Sequence, residues 1–127
     1  MEAKDLMIGD WVYNHQKREC VIAEIHKTSC YLITDFYGNG IIGKSYSSID
    51  SLEPIPLTTE ILEKNGFVRS EVFVEWKYEY EDIYMLWKPF PWLSVLSDGS
   101  ELKFPCEYVH QLQHALKLCG ITKNIIL

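Results

Sequence analysis

The sequence predicts an α+β protein in two parts, a small N-terminal β-barrel over residues 1–55 and an antiparallel sheet with two helices over residues 56–127. Three observations support this prediction. Runs rich in β-branched and aromatic residues fill the first part, Pro54 and Pro56 interrupt regular structure, and helical periodicity appears only beyond them. With 127 residues, of which 47% are hydrophobic, the chain can bury a sizeable core, which excludes disorder as its main state.

The first part is predicted to contain five short strands. They are expected at residues 5–13, 20–26, 31–37, 41–42 and 46–49. Residues 37–40 (YGNG) predict a tight turn, because Asn and Gly tolerate the positive φ that hairpins require. Residues 9–12 (GDWV), followed by a strand with Val21, resemble the opening of an SH3-like barrel. We therefore expect an SH3-like small β-barrel in this part.

The second part opens on a well-defined helix start. Thr58 is predicted to be the N-cap and Gly66 the residue that ends the helix. Leu57 and Leu62 then occupy the two positions of a hydrophobic staple. Glu60 places a carboxylate in the first turn, where the helix dipole favours it. A short helix is therefore expected directly after the prolines.

Strands and a final helix are predicted for the rest of the second part. Apolar and aromatic runs predict strands at residues 68–80, 83–87, 92–96 and 101–104. Residues 98–99 (DG) predict a hairpin turn between the last two strands. Residues 106–119 predict an amphipathic helix with Leu112 and Leu116 on its apolar stripe and His110 on the opposite, solvated face. The predicted order is α-β-β-β-β-α.

Composition argues against nucleic-acid and membrane partners. The chain has 12 Lys and Arg against 18 Asp and Glu, a formal charge of -6 that both parts share equally. Nucleic-acid affinity needs clustered cations, and the one local cluster, Lys17-Arg18, stands beside Glu19. No run approaches the roughly 18 apolar residues of a membrane helix, and charges near the start do not fit a signal peptide. We expect a cytoplasmic protein.

The cysteines predict neither a zinc site nor a disulfide framework. They are Cys20, Cys30, Cys106 and Cys119, with no close pair among them. We expect four reduced thiols that act as small core hydrophobes, and no metal.

One segment matches the phosphate-binding P-loop pattern. Gly38 begins the octapeptide GNGIIGKS, which ends at Lys44 and Ser45 and satisfies G-x-x-x-x-G-K-[ST]. The pattern binds phosphate only where a helix begins at its end, and residues 46–54 are poor helix formers. A glycine-rich β-hairpin is the preferred interpretation, and a nucleotide-binding protein is the alternative.

A second pattern places two histidines one helical turn apart. His110 and His114 have the i, i+4 spacing of a zinc-protease helix, but Gln111 stands where that chemistry needs a general-base Glu. A solvated polar face is the preferred interpretation, with an incidental metal site as the alternative. We find no catalytic triad and assign no catalytic residue.

Aromatic residues concentrate between residues 76 and 92. Strict alternation predicts that Trp76, Tyr78 and Tyr80 share one face of a strand. Four more aromatic residues follow, namely Tyr84, Trp87, Phe90 and Trp92. Three interpretations stay open: a core face, a surface for a protein partner or for self-association, and a flat platform for a sugar or base.

Three motifs in order resemble a family of small uncharacterised proteins from gut Bacteroidetes. They are residues 3–12 (AKDLMIGDWV), 54–67 (PIPLTTEILEKNGF) and 108–113 (YVHQLQ). The resemblance spans nearly the whole chain and implies a prophage or mobile-element type of protein with no assigned catalytic residue. The chain departs from the family at His114, where Asn is usual, and in the longer segment 30–51.

The motifs together predict a non-enzymatic protein-interaction module without a cofactor. Its candidate binding residues are Trp76, Tyr78, Tyr80, Trp87, Phe90 and Trp92, together with His110 and Gln111. The His110-Gln111 pair is expected to hydrogen-bond either the backbone of the adjacent domain or a ligand between the two parts.

Overall fold

The structure is a computed structural model of the chain, described here for residues 1–35, 42–70, 77–81, 83–87, 91–97 and 99–127. The chain divides into two compact units, Met1–Ile55 and Pro56–Leu127. Each unit contains one five-stranded antiparallel sheet, and both α-helices of the described residues lie in the second unit. The predicted α+β class is therefore confirmed.

The first unit is a sheet of consecutive hairpins extended by its last strand. Its strands are β1 (Trp11–Tyr13), β2 (Glu19–Ile25), β3 (Ser29–Asp35), β4 (Ile42–Ser48) and β5 (Glu53–Pro54). The spatial order is β4-β3-β2-β1-β5, with antiparallel pairing throughout. Two short 3-10 helices, Ala3–Asp5 and Ile49–Ser51, precede β1 and β5.

Three strand predictions in this unit need correction. The strand expected over residues 5–13 is confined to Trp11–Tyr13. Residues 41–42 and 46–49 were expected to form separate strands, but β4 runs without a break from Ile42 to Ser48. Ile49 lies in the following 3-10 helix, where its side chain is buried. Pro54 forms part of β5 and does not stop it, because an edge strand does not need every backbone N–H for pairing.

Alternating side chains of the first sheet build one core cluster. Its buried members are Leu6, Val12, Cys20, Ile22, Cys30, Leu32, Ile49 and Leu52. The turn before β1 helps to fix the register, since Gly9 has a φ of 95° and its N–H donates to the Ile22 carbonyl at 2.7 Å. The buried Asp10 carboxylate accepts a 2.8 Å bond from the Met7 N–H. The residues of the GDWV motif are therefore part of the architecture.

The second unit is an antiparallel meander flanked in sequence by two helices. Its elements are α1 (Thr59–Lys64), β6 (Val68–Arg69), β7 (Lys77–Tyr80), β8 (Ile83–Leu86), β9 (Trp92–Ser97), β10 (Ser100–Pro105) and α2 (Val109–Leu118). The spatial order β10-β9-β8-β7-β6 is that of the sequence reversed. The single strand predicted over residues 68–80 is wrong, because Val68–Arg69 and Lys77–Tyr80 are separate strands that pair antiparallel, so the sheet has five strands where four were predicted. Gly99 has a φ of 78° and Ser97 pairs with Ser100, which confirms the predicted hairpin between β9 and β10.

The first helix begins and ends where the sequence predicts. The Thr58 hydroxyl accepts a 3.2 Å bond from the Ile61 N–H, which satisfies one of the free donors of the first turn. Leu57 and Leu62 are both buried, and Gly66 follows the helix with a φ of 89°.

We expect Thr58→Ala to lower the free energy of unfolding by about 1 kcal/mol, because the Ile61 N–H loses its cap. Urea unfolding of the full chain measures the change. Thr122→Ala, which removes an exposed hydroxyl from the C-terminal segment, is the matched control. Equal effects of the two substitutions would contradict the assigned cap.

A buried asparagine side chain binds the C-terminal segment. Asn65, only 1% exposed, donates through Nδ2 to the carbonyls of Ile61 (2.8 Å) and Ile126 (2.7 Å). Its Oδ1 accepts from the Ile126 N–H at 2.8 Å, so one amide satisfies both backbone groups of that residue. Ile125 is buried beside this contact in sequence. The segment therefore belongs to the folded unit.

Candidate functional site

Strand pairing separates the aromatic residues of the second sheet onto two faces. Tyr78 lies opposite Met85, and both side chains are buried, which identifies the inner face of the sheet. Tyr80 lies on the same face. Trp92 pairs with Leu86 on the opposite face. Of the predicted binding residues, Trp76 and Phe90 lie outside the described residues.

The inner-face tyrosines contribute to packing. The Tyr78 hydroxyl donates to Glu63 Oε1 at 3.2 Å, and burial together with this carboxylate raises the pKa of the phenol. Tyr80 packs on Phe67 with ring centroids 5.3 Å apart and an interplanar angle of 34°. Lys123 Nζ lies 5.4 Å from the Tyr80 centroid. These contacts tie β7 to α1 and to the C-terminal segment.

The opposite face is half-exposed and combines apolar with charged side chains. We define the outer face as Lys77, Glu79, Tyr84, Leu86, Trp92, Glu101 and Lys103. Tyr84, Leu86 and Trp92 are each half-buried. Trp87 follows β8 and is half-buried, and its buried Nε1 has no hydrogen-bond partner within the described residues.

Each aromatic ring of the outer face lies beneath a lysine. Lys77 Nζ is 4.1 Å from the Tyr84 centroid and 3.4 Å from Glu79 Oε1. Lys103 Nζ is 4.5 Å from the Trp92 centroid. The ammonium groups hold the lysine stems against the rings and leave the apolar surface interleaved with charge.

The charges of the outer face balance, although the chain is acidic. Among the residues that the structure describes, two lysines and two glutamates lie on this face, whereas the chain as a whole carries -6. Between them, buried Ser94 donates its hydroxyl to Glu101 Oε1 at 2.5 Å, which fixes one of the carboxylates. Tyr84, Leu86 and the two lysines were not among the predicted binding residues. The alternation of residues 83–86 already indicates that Tyr84 and Leu86 share a face. The sequence does not indicate that this strand pairs with Trp92.

Gln111 and His110 perform local roles in α2. Gln111 Oε1 accepts from the N–H groups of Glu107 (2.8 Å) and Tyr108 (3.1 Å), which satisfies free donors at the helix start. His110 was expected on a solvated face, and this is wrong, because its side chain is only 6% exposed. Its ring stacks on Tyr108 with centroids 6.0 Å apart and meets the edge of His114 at 5.6 Å. The buried stripe of α2 is wider than its apolar residues alone indicate.

The helix that a P-loop needs after its Lys-Ser pair is absent from residues 42–51. Lys44 and Ser45 lie within β4, where they pair with Ile33 and Leu32 of β3. A strand follows them where phosphate binding would need the N-terminus of a helix. The hairpin interpretation is confirmed in its two strands, and the turn at residues 37–40 lies outside the described residues. The nucleotide-binding alternative therefore loses its structural premise.

Metal-ligand clusters and membrane spans are also not found in the described part of the chain. No three His, Cys, Asp or Glu side chains there are placed to hold a metal ion. No helix there is long and apolar enough to cross a bilayer, and the longer of the two, α2, has ten residues.

All four cysteines are free thiols. Cys20, Cys30 and Cys106 are buried, whereas Cys119 is partly exposed. Burial raises the pKa of Cys106 to about 12. The thiol is therefore kept protonated and unreactive in the folded state.

Comparisons with protein-family models, with curated proteins and with solved structures give no match to the chain. The resemblance to the Bacteroidetes proteins stays a prediction. The outer face of the second sheet is the surface whose geometry and chemistry bear on function.

Proposed function

We propose that the chain is a non-enzymatic protein-interaction module that binds a second copy of itself through the outer face of the second sheet. One observation carries the proposal: half-buried Tyr84, Leu86 and Trp92 lie among charges that sum to zero within the described residues of this face, in an otherwise acidic chain. Interfaces are enriched in aromatic residues, and a partly accessible apolar patch with charged neighbours is typical of them.

Charge favours a second copy as the partner. Two chains of charge -6 repel one another over most of their surfaces. On the outer face, Lys77 and Lys103 can approach Glu79 and Glu101 of another copy, so the same surface on both chains is complementary to itself. Burial of the apolar side chains then stabilises the dimer, and net charge on this face does not oppose its formation.

Sedimentation velocity tests the proposal on the full chain. We expect the weight-average sedimentation coefficient to rise with protein concentration from the micromolar into the millimolar range. Leu86→Asp places a charge in the middle of the outer face and is expected to weaken association by at least about tenfold, because a buried charge costs more than about 1.4 kcal/mol.

Leu118→Asp is the matched control, because Leu118 is 76% exposed on α2 and lies away from the sheet strands in sequence. This control is expected to associate as the parent chain does. A parent chain that sediments as a monomer at every concentration would contradict the proposal. Association that Leu86→Asp leaves unchanged would contradict it equally.

We also propose an SH3-like barrel for the first unit. Two features support it: β1 lies between β2 and β5, so the first and last strands are neighbours, and one core cluster collects the buried residues of β1, β2 and β3. Ile49 and Leu52, from the connection between β4 and β5, join that cluster. A sheet that curves around a single core in this order can close at its edges.

The proposal also includes the type of genome that encodes the protein and the compartment in which it resides. The motifs at residues 3–12, 54–67 and 108–113 support a protein of the prophage or mobile-element type from Bacteroidetes. Four free thiols support a reducing compartment such as the cytoplasm.

A further inference from the structure

Two tyrosines stand side by side on the solvent-facing side of the first sheet. Tyr31 on β3 pairs directly with Tyr46 on β4, and their ring centroids are 4.7 Å apart with an interplanar angle of 49°. Tyr46 is 68% exposed, so its ring is open to a ligand, whereas Tyr31 is half-buried. His26, directly after β2, adds a third ring 6.3 Å from that of Tyr46. The three rings form one aromatic cluster.

A carboxylate adjoins the aromatic cluster. Glu24 Oε1 lies 3.9 Å from His26 Nε2, and both side chains are half exposed. Ring faces carry negative electrostatic potential, and a neighbouring carboxylate strengthens it. Lys44 lies two residues before Tyr46 on the same side of β4 and opposes this potential in part. The first unit as a whole is acidic, which favours the approach of a cation.

The aromatic cluster differs from the rings of the second unit. There, Tyr80, Tyr84 and Trp92 each have a lysine of the chain itself over the ring. Among the described residues, no lysine or arginine lies over Tyr31 or Tyr46. Within the described residues, the rings of Tyr80, Tyr84 and Trp92 are thus occupied by internal cations, and those of Tyr31 and Tyr46 are not.

We propose that Tyr31, Tyr46 and His26, together with Glu24, form a binding site for an alkylammonium group, carried by a lysine side chain of a partner protein. The ammonium lies over the exposed Tyr46 ring and is within reach of the Glu24 carboxylate. A neutral or anionic group gains neither contact. The site lies in the first unit and does not depend on the outer face of the second sheet.

The test is an NMR titration of the full chain with two small probes. One probe is Nα-acetyl-lysine N-methylamide, and the other is the same molecule acetylated at Nε, which removes the charge and keeps the stem. We expect the ring protons of Tyr31 and Tyr46 to shift with the cationic probe and its apparent affinity to be about threefold or more above that of the neutral probe.

Substitutions separate recognition by the ring from simple apolar contact. Tyr46→Phe keeps the ring and is expected to keep the preference for the cation, whereas Tyr46→Leu keeps apolar area and is expected to lose it. Glu24→Gln should weaken binding of the cationic probe, and Lys44→Gln should strengthen it. Ser45→Ala, on the other side of β4, is the matched control and should change nothing.

Three results would overturn the proposal. They are equal affinities for the charged and neutral probes, a preference that survives Tyr46→Leu, and shifts that occur only at residues outside the aromatic cluster. If the rings serve only as a cross-strand pair that stabilises the sheet, Tyr46→Leu lowers stability, and the parent chain responds equally to the cationic and the neutral probe.

Discussion

Replacing Asn65 with Asp is expected to destabilise the second unit by about 3 kcal/mol at neutral pH, because the substitution removes two donated bonds and buries a charge. The new carboxylate would face the carbonyl oxygens of Ile61 and Ile126, which now accept from Nδ2. Urea unfolding of the full chain measures the loss. Residues 121–127 should also become more susceptible to proteolysis, because the Ile126 carbonyl loses the hydrogen bond that the Asn65 side chain donates.

The effect of Asn65→Asp should depend on pH. Burial and the facing carbonyls raise the pKa of the introduced carboxyl in the folded state above its unfolded value of about 4. The folded state then binds the proton more tightly, so stability falls as pH rises above about 4, and the loss is smaller in acid than at neutral pH. Asn124→Asp, at an exposed position of the same segment, is the control. Equal losses of stability in the two variants would contradict the buried hydrogen bonds assigned to Asn65.

Leu112→Ala is expected to lower the free energy of unfolding by about 3 kcal/mol, because it removes a fully buried side chain from α2 and leaves a cavity. Leu118→Ala makes the same change six residues later, at a position that is 76% exposed, and should cost no more than about 0.5 kcal/mol. Denaturant midpoints of the two variants provide the comparison. Similar losses would mean that α2 is not held by the stripe that contains Leu112.

Local features of the second unit could be predicted because neighbouring residues determine them. Leu57, Thr58 and Leu62 specify the start of α1 within six residues, and the structure reproduces that start. The hairpin at Gly99 is equally local. Such features need no knowledge of what packs against them.

Features that depend on residues distant in sequence could not be predicted as well. The aromatic run from 76 to 92 suggested one surface, but the pairing of β7, β8 and β9 divides Tyr78 from Trp92. A connection of one residue more or fewer would exchange the faces, and composition does not specify it. The outer face therefore emerged only from the register.

Burial of polar side chains was the other source of error. A histidine among polar neighbours predicts an exposed position, yet His110 is buried between the rings of Tyr108 and His114. Gln111 lacks the preceding Ser or Thr of a standard capping box, so its role at the start of α2 was not indicated by the pattern.

The most direct test of the interaction surface is a dilution series of amide NMR spectra of the full chain. If copies associate through the outer face, signals from residues 77–80, 83–86, 92–97 and 100–105 shift with concentration, while those of β1, β2 and β3 stay constant. Shifts confined to the first unit, or spectra that do not change with concentration, would contradict self-association through the outer face.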